Sequence, residues 1–481
     1  AIGMNIPRSP FYEKELDLRI ACSYGPGRYD PQYEENGHDY PIGYVRWTEN
    51  RNMEAVLDLL DQGNLNMHSM ISHRFDIRDA LDAYDIVTGK KEEPFLGIVI
   101  EYPQDEERVT RLTIRDREKT SLGKSQPVVG FIGAGNFAQS YLIPPLKKEP
   151  VDLRGVVTST PINSKSVAEK FGFGYAATDP DEIFRDSDVN SVFIATQHDT
   201  HAQYVLKALD AGKHVFVEKP HGIDPAGIKL MRQAAELAKE KGLCLVSGLQ
   251  SRYHTGYAET VQRIYDGAIG EIVSLEENFL RAPYVVIDRK PGLTELEWQC
   301  STQYHFRWLS GDDVPQSLVH NMDRASWVLG DKAPVKCHGL GGRSSMTAPI
   351  FGDVFDHHSV VYEMANGVRI YAFCRTTEGC YGESSSTVFG SKGAASIMRC
   401  RIWGENNWQW EGHCDPYQVE HDVLFKGIRS GEPVNNGDYM ARSTMIGVMG
   451  QISCYTGEEI TWDRVNKSDF YYAPKPEECH D

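Results

Sequence analysis

Short apolar runs alternate with longer amphipathic segments through the middle of the chain. The runs lie at residues 128–132, 151–157, 189–195, 213–217 and 243–247. Strands that alternate with helices in this way form a parallel sheet with helical crossovers. The pattern therefore predicts a Rossmann-type, doubly wound parallel sheet over residues 127–248.

The rhythm changes after residue 248, where longer strands and tight turns replace the alternation. Asn366-Gly367, the strongest short hairpin signal, separates strand-like residues 359–364 from 368–375. Residues 390–393 separate 386–389 from 394–399 in the same way. These signals predict an α+β domain with a mostly antiparallel sheet over residues 249–465, followed by a tail at 466–481.

The first part of the chain has its own secondary-structure signals. Residues 16–21 alternate as a half-buried strand, 53–60 and 76–87 have helical spacing, and 95–102 are strand-like. Residues 104–126 are dense in charge and poor in apolar side chains, which predicts a solvated linker behind a front segment at 1–103.

Composition narrows the classes of partner. The chain of 481 residues holds 50 Lys plus Arg against 68 Asp plus Glu, a net charge of −18. This acidity argues against nucleic acid or an anionic membrane surface, because no basic field attracts phosphates. No apolar stretch reaches the roughly 18 residues of a membrane span, and no signal peptide is visible. Ten cysteines without a Cys-x-x-Cys spacing favour reduced thiols in a cytoplasmic protein without a metal site.

A glycine motif stands between the first apolar run and the first amphipathic segment. It reads Gly133-Ala134-Gly135-Asn136-Phe137-Ala138. Gly133 allows the tight turn, Gly135 lets a pyrophosphate approach the backbone, and Ala138 lets the helix pack on the strand. Phosphates would bind the free N–H groups where the helix begins. The motif in this context predicts a dinucleotide site.

The identity of the dinucleotide depends on the residues after the second strand. An acidic residue that binds the ribose of NAD is expected about 20 residues beyond the glycines. Thr158, Ser159 and Thr160 occupy that place, and Lys165 follows. A hydroxyl cluster with a nearby lysine could accept the 2′-phosphate of NADP. The alternative is an ordinary polar loop, with NAD held by other contacts.

Further candidate residues follow the later strands of this domain. Ala195 and Thr196 end one strand and precede His201, and Glu218-Lys219-Pro220 follows another. Ligands of an open parallel sheet bind beyond the carboxyl ends of its strands. Lys219 is therefore expected to point into the crevice that holds the nicotinamide.

The glycine motif, Ala195-Thr196 with His201, and Glu218-Lys219-Pro220 together resemble the glucose–fructose oxidoreductase, inositol dehydrogenase and rhizopine-catabolism (Gfo/Idh/MocA) family over about residues 125–465. The resemblance implies a catalytic role for Lys219, and His320 matches the family's catalytic histidine. Gln316 occupies the family's acidic position, which is a departure, because an amide cannot accept a proton. The resemblance also implies an open sheet used for oligomer contacts. Val361, Tyr371 and Phe373 on that face would favour a homodimer or homotetramer.

Residues 1–103 resemble the last part of a zinc-type medium-chain alcohol dehydrogenase, as found in front of sugar dehydrogenases in two-domain oxidoreductases. The resembling stretches are residues 15–19, 23–29, 40–47 and 73–75. The zinc ligands and glycine motif of that family belong upstream of such a segment. The resemblance implies that this segment carries no chemistry of its own.

The second domain offers side chains that can bind a carbohydrate. Hydroxyl-binding, charged and stacking groups are combined in the candidate substrate set Tyr253, His254, Tyr304, Arg307, Gln316, Asp323 and His357. The resemblance implies hydride transfer between NAD or NADP and a carbon that bears a hydroxyl on a sugar or cyclic polyol. Lys219 would exchange the hydroxyl proton, and His320 would orient the hydroxyl. Two alternatives are a redox-neutral glycoside hydrolase with bound NAD and a nucleotide-binding regulatory protein without turnover.

Overall fold

The computed structural model describes residues 5–20, 23–103, 109–115, 126–284 and 286–474. The chain forms two compact units, Ala1–Arg108 and Val109–Asp481. Within the described residues every cysteine is a free thiol. No helix among them is long and apolar enough to cross a membrane.

The described residues of the first unit contain a two-stranded parallel sheet and four α-helices. The strands are β1 (Ile71–Asp76) and β2 (Gly97–Glu101), and the helices are α1 (Arg8–Lys14), α2 (Pro31–Glu34), α3 (Glu49–Asp61) and α4 (Ala80–Val87). The helices expected at 53–60 and 76–87 and the strand at 95–102 are present. The strand expected at 16–21 is wrong: residues 16–20 have no regular structure, and residue 21 lies outside the described ranges. The alternating Leu16, Leu18 and Ile20 are exposed, and no strand among the described residues pairs with them. The resemblance to a medium-chain dehydrogenase stays a prediction.

The second unit begins with a seven-stranded sheet in the order β3-β6-β5-β4-β7-β8-β9. Its strands are β3 (Arg111–Thr113), β4 (Val128–Ile132), β5 (Asp152–Val157), β6 (Tyr175–Ala177), β7 (Ser191–Ile194), β8 (His214–Val217) and β9 (Leu245–Ser247). The helices are α5 (Ile143–Leu146), α6 (Pro161–Phe171), α7 (Asp181–Arg185), α8 (His201–Asp210) and α9 (Pro225–Lys241). Strands β4 to β9 are parallel, in the order of a dinucleotide-binding fold. The predicted Rossmann domain is confirmed.

The edge strand β3 corrects the prediction of a solvated linker at 104–126. It pairs antiparallel with β6, whereas residues 104–108 and 116–125 lie outside the described ranges. The Arg111 guanidinium lies 3.6 Å from the centre of the Tyr175 ring and 3.6 Å from a carboxylate oxygen of Asp186. Arg111, one of the charged residues of this segment, therefore fixes an edge strand to the sheet. The local composition of the sequence does not reveal this role.

A chain that begins at Val109 is expected to fold and to bind NAD with unchanged affinity, because the whole seven-stranded sheet lies after residue 108. A chain that begins at residue 121 lacks β3 and leaves the β6 edge unpaired. Its Tm should fall by a few degrees, as a loss of about 1–2 kcal/mol would produce in a domain of this size. Thermal unfolding and NAD titration of both chains provide the measurement. Equal Tm values, or loss of NAD binding in the longer chain, would contradict the assignment.

The rest of the second unit is built on a nine-stranded sheet in the order β17-β16-β15-β14-β10-β13-β12-β11-β18. Its strands are β10 (Ile272–Arg281), β11 (Lys336–Gly342), β12 (His357–Glu363), β13 (Arg369–Thr376), β14 (Glu383–Gly390), β15 (Gly393–Ser396), β16 (Arg401–Gly404), β17 (Trp408–Gln409) and β18 (Ile460–Thr461). Apart from the parallel pair β10 and β13, all pairings are antiparallel. Both predicted hairpins are present, and Gly367 turns the first with a φ of +83°. The predicted mostly antiparallel sheet is confirmed.

Helices α10 (Thr255–Tyr265), α13 (Val319–Val328) and α15 (Gly437–Thr456) pack on one face of this large sheet, whereas α14 (Pro416–Ser430) packs on the nucleotide domain. The other helices of this part are α11 (Glu295–Ser301), α12 (Arg307–Ser310) and α16 (Trp462–Lys467). Helix α15 packs against β11 and β12 on one side and against α9 of the nucleotide domain on the other. On the opposite face of the sheet Leu340 and Tyr371 are exposed. Association of two subunits through this face stays a prediction.

Candidate functional site

The glycine motif forms the turn between β4 and the helix that begins at Asn136. Gly133 has a φ of +91°, and a Cβ at this position would lie 2.5 Å from the carbonyl oxygen of Ala195. Only glycine fits such a turn. A Cβ at Gly135 would meet no atom within 4 Å, so the backbone is open to the cleft there. Ala138 is buried under the turn. These features fit a bound pyrophosphate.

A cleft of about 860 Å³ lies beyond the carboxyl ends of the strands. Seven residues of the predicted cofactor set line it: Gly133, Gly135, Asn136, Thr158, Ser159, Ala195 and Thr196. The sequence reasoning missed others that line the far wall, among them Tyr204, Glu297, Cys300 and Gln303. Four residues of this wall come from α11 and the turn after it: Glu297, Cys300, Ser301 and Gln303. They are more than 100 positions from the glycine motif. A volume of this size accommodates a dinucleotide.

The ribose side of the cleft differs from the expectation. Ser164 is buried and lies 2.8 Å from the Thr158 hydroxyl, and Thr160 caps α6 through the N–H of Asn163. Lys165 does not line the cleft, and its ammonium lies 3.8 Å from the Glu169 carboxylate, one helical turn away. The argument for a lysine at the 2′-phosphate is therefore not supported. Among the described residues that line the cleft there is neither Lys nor Arg.

Lys219 stands directly after β8, where the sequence placed it. Its ammonium donates to the carbonyl oxygen of Gln316 at 3.1 Å, and its N–H donates to the Glu218 carboxylate at 3.1 Å. Burial raises the pKa of Glu218 to about 7. The other carboxylate oxygen of Glu218 is buried without a hydrogen-bond partner. The three residues 218–220 do not line the nucleotide cleft itself.

A set of buried histidines surrounds this loop. The two ring nitrogens of His201 lie 2.7 Å from the Pro220 carbonyl oxygen and 3.1 Å from that of Thr196, so His201 joins the loop to the rim of the cleft. His221, which the sequence analysis missed, lies between the hydroxyls of Ser247 at 2.9 Å and Thr444 at 3.1 Å. Burial lowers the pKa of His201 to about 4 and that of His221 to about 3. Burial thus disfavours the charged form of both rings, and their polar contacts position the loop.

Gln316 and His320 come from a helix that begins with a π-helical turn, Val314–Leu318. They are four residues apart and so lie on the same side of the helix. The Nδ1 atom of His320 is buried and has no hydrogen-bond partner. Burial and the charge of Lys219 hold the pKa of His320 well below its usual range. Burial and Lys219 therefore disfavour the charged form of His320, and its unpaired Nδ1 is available for a hydrogen bond with a ligand.

A small cavity adjoins Gln316 on the side of the nine-stranded sheet. Its polar lining includes Arg281, Tyr284, Tyr304, Asp312, Asp313 and Gln316. Of the predicted substrate residues, Tyr304 and Gln316 are therefore at this cavity. Burial raises the pKa of Tyr304 to about 12, and the Tyr304 ring lies 5.7 Å from the ring of His198.

The structure places the other predicted substrate residues elsewhere. The Tyr253 hydroxyl donates to Asn436, and His254 caps α10. Arg307 pairs with Asp353, Asp323 is fully buried against Arg252, and His357 lies 2.6 Å from Asp356. The side chain of each of these residues already has a polar partner within the protein. The neighbouring His358, and not His357, faces inward and lies 3.0 Å from Asp312.

Two remaining cofactor candidates also lie outside the cleft lining. Phe137 is half-exposed and packs against Tyr141 and Tyr417, and Lys165 is on the outer face of α6. Arg281, Tyr284 and Asp313 were missed by the sequence analysis. In the sequence, only the adjacent acidic pair Asp312-Asp313, one turn before Gln316, could have indicated these residues. Within the described ranges no group of three or more His, Cys, Asp or Glu side chains is arranged to hold a metal ion.

Comparison with known proteins agrees with this geometry. The model of the Gfo/Idh/MocA oxidoreductase family, NAD-binding Rossmann fold, matches residues 128–249. The myo-inositol 2-dehydrogenase of Thermotoga maritima is 24% identical over 287 residues, which are 56% of this chain and 78% of the relative. The scyllo-inositol 2-dehydrogenase (NAD(+)) of Bacillus subtilis is 32% identical over 177 residues, which are 37% of this chain and 46% of the relative.

A solved structure has the same fold across both domains of the second unit. Levoglucosan dehydrogenase in complex with NADH and levoglucosan superposes with a TM-score of 0.57 at 18% identity, covering 70% of this chain and 99% of that chain. At this identity the likeness establishes the fold alone. Together with the glycine turn and the cleft, the family match identifies the nucleotide domain. Residues 128–249 match the NAD-binding Rossmann fold of the Gfo/Idh/MocA oxidoreductase family.

Proposed function

We propose that this chain is an NAD(P)-dependent oxidoreductase that interconverts a hydroxyl and a carbonyl on a sugar or cyclic polyol. The observation that carries the proposal is the position of Lys219. It follows β8 at the carboxyl edge of the sheet, is joined to the cleft rim through His201, and reaches the helix that bears Gln316 and His320. The inositol dehydrogenases and levoglucosan dehydrogenase among the similar proteins support the substrate class.

The residues of the cleft fit a nicotinamide dinucleotide, with Gly133 to Asn136 at the pyrophosphate and residues 158–160 toward a ribose. When bound, its nicotinamide exchanges a hydride with the reacting carbon. During oxidation the neutral amine of Lys219 takes the proton from the substrate hydroxyl, and during reduction its ammonium returns the proton. The unpaired Nδ1 of His320 orients that hydroxyl. Gln316 holds a hydroxyl through its amide but exchanges no proton.

A panel of neutral sugars, cyclic polyols and aryl glycosides, each offered with NAD and with NADP, tests the proposal. Formation of reduced nicotinamide with a sugar or polyol is the expected result. Glycoside cleavage without net reduction would instead select the redox-neutral hydrolase. Nucleotide binding without turnover of any compound would select a regulatory role and contradict the proposal.

NAD is expected to have a KM at least about tenfold below that of NADP. An arginine near the ribose typically accommodates the 2′-phosphate. Lys165 faces Glu169, and the charged residue that lines the cleft among those described is the acidic Glu297. Steady-state kinetics with both nucleotides measure the ratio. Ser159→Arg adds a cation at an exposed position of the ribose loop and should bring the KM for NADP closer to the KM for NAD. Equal KM values in the unmodified protein would contradict this assignment.

A further inference from the structure

The cavity beside Gln316 contains an ion pair set against aromatic rings. Arg281, at the end of β10, donates to the Asp313 carboxylate at 2.7 Å. Its guanidinium lies 3.7 Å from the centre of the Tyr284 ring. Tyr284 in turn stacks on Tyr304, with ring centres 4.1 Å apart and planes 16° from parallel. The cavity therefore has an aromatic wall and a fixed charged pair.

Several polar atoms of this cavity are buried without a partner. One carboxylate oxygen of Asp313 accepts from Arg281, Ser317 and Gln316, whereas the other has no partner. The side-chain oxygen of Gln316 and the Nε of Arg281 are also unpaired. Asp313 and Gln316 are only 3% and 2% exposed. Buried polar groups are normally hydrogen-bonded, and the cavity of about 10 Å³ has room for one hydroxyl-sized group that could pair with these two acceptors and one donor.

The charges around the cavity cancel in pairs. Arg281 is balanced by Asp313, and the buried Asp312 by His358 at 3.0 Å. The negative Asp312 raises the pKa of His358, and the His358 charge contributes to a lowered pKa of Asp312. A carboxylate or phosphate in the cavity would face the unpaired Asp313 oxygen, and Arg281, which lines the cavity, is already paired with Asp313. A hydroxyl both donates and accepts, so it satisfies both kinds of unpaired atom.

We propose that Arg281 and Asp313 form a hydroxyl-binding subsite that selects uncharged polyols and sugars against sugar acids and sugar phosphates. The inference rests on the proposed function and names its substrate class. The subsite adjoins the reacting centre, because the backbone oxygen of Gln316 accepts from Lys219 while its side chain lines the cavity.

Two variants of the full chain test the inference: one removes the negative charge of the subsite and the other removes its positive charge. The probes are myo-inositol and glucose as neutral compounds, and glucuronate and glucose 6-phosphate as anions. Unmodified protein is expected to have a kcat/KM at least about tenfold higher for the neutral compounds. Asp313→Asn leaves Arg281 unbalanced and should shift the neutral-to-anion ratio at least about tenfold toward the anions. Arg281→Gln leaves Asp313 unbalanced and should shift the ratio the other way. A loss of packing alone would not shift the neutral-to-anion ratio of kcat/KM in opposite directions in the two variants.

Glu405→Gln, an exposed acid on the far edge of the sheet, is the matched control and should leave the ratio unchanged. NAD titration of each variant shows that its nucleotide domain is folded. If one variant does not fold, the ratio of the other still decides the matter. A ratio that stays within about twofold in either folded variant, with turnover retained, overturns the subsite but leaves the proposed function standing. Absence of turnover with all four probes and with the wider panel overturns both.

Discussion

Lys219→Ala is expected to lower kcat by about 10²–10⁴-fold, the range that general acid–base catalysis contributes. Nucleotide affinity should be unchanged, because Lys219 does not line the nucleotide cleft. Its ammonium reaches instead toward the helix that carries His320. Stopped-flow measurement of nicotinamide reduction with saturating polyol gives kcat, and fluorescence titration gives the dissociation constant of NADH.

Lys207→Ala is the matched control, since Lys207 is an exposed lysine in the last turn of α8. Its kcat should equal that of the unmodified protein. Turnover retained in Lys219→Ala would remove the lysine from the mechanism. A loss of NADH affinity as large as the loss of kcat would mean that Lys219 binds the cofactor. Its assignment to proton transfer outside the nucleotide cleft would then be wrong.

Gly135→Val is expected to abolish detectable nucleotide binding, a weakening of at least about a hundredfold, while the free protein keeps its Tm. A side chain at this position meets no protein atom within 4 Å, so the fold tolerates it. The same side chain would occupy the space in which the pyrophosphate approaches the helix. Calorimetric titration with NADH and thermal unfolding without nucleotide measure the two quantities separately.

Two further glycine variants separate the causes. In Gly133→Ala the new methyl group would meet the Ala195 carbonyl at 2.5 Å, so both Tm and nucleotide affinity should fall. Gly212→Ala shares the positive φ but meets nothing within 4 Å, and its cost should be confined to about 1 kcal/mol of backbone strain. Undiminished NADH binding by Gly135→Val would place the pyrophosphate elsewhere.

Local sequence patterns predicted the nucleotide domain because its strands and turns depend on neighbouring residues. The glycine turn, the order of strands and helices and the position of Lys219 all follow from short-range rules. Strand β3 was missed, since its partner β6 is more than 60 residues away and no local signal identifies an edge pairing. The predicted strand at 16–21 failed for the converse reason: an alternating pattern forms no strand where no partner is present.

The substrate side was harder to predict because long-range contacts decide which polar side chains remain free. Alternation along β12 implies that His357 and His358 face opposite ways, but only the register of the sheet shows that His358 is the buried one. Arg307 and Asp323 have suitable chemistry, yet Asp353 and Arg252 already bind them. Arg281 and Asp313 are 32 residues apart, and their pairing is visible only in the folded chain.

Helix α15 gives the second unit a property that neither of its domains would have alone. Met440, near its start, belongs to the hydrophobic interior of the nucleotide domain, while Met445 and Met449 belong to that of the large sheet. Thr444 between them reaches His221 in the loop after β8. Residues from Val109 onward should therefore melt in one cooperative transition. A dinucleotide bound at the glycine turn would then slow amide hydrogen exchange in strands of the large sheet that it never touches.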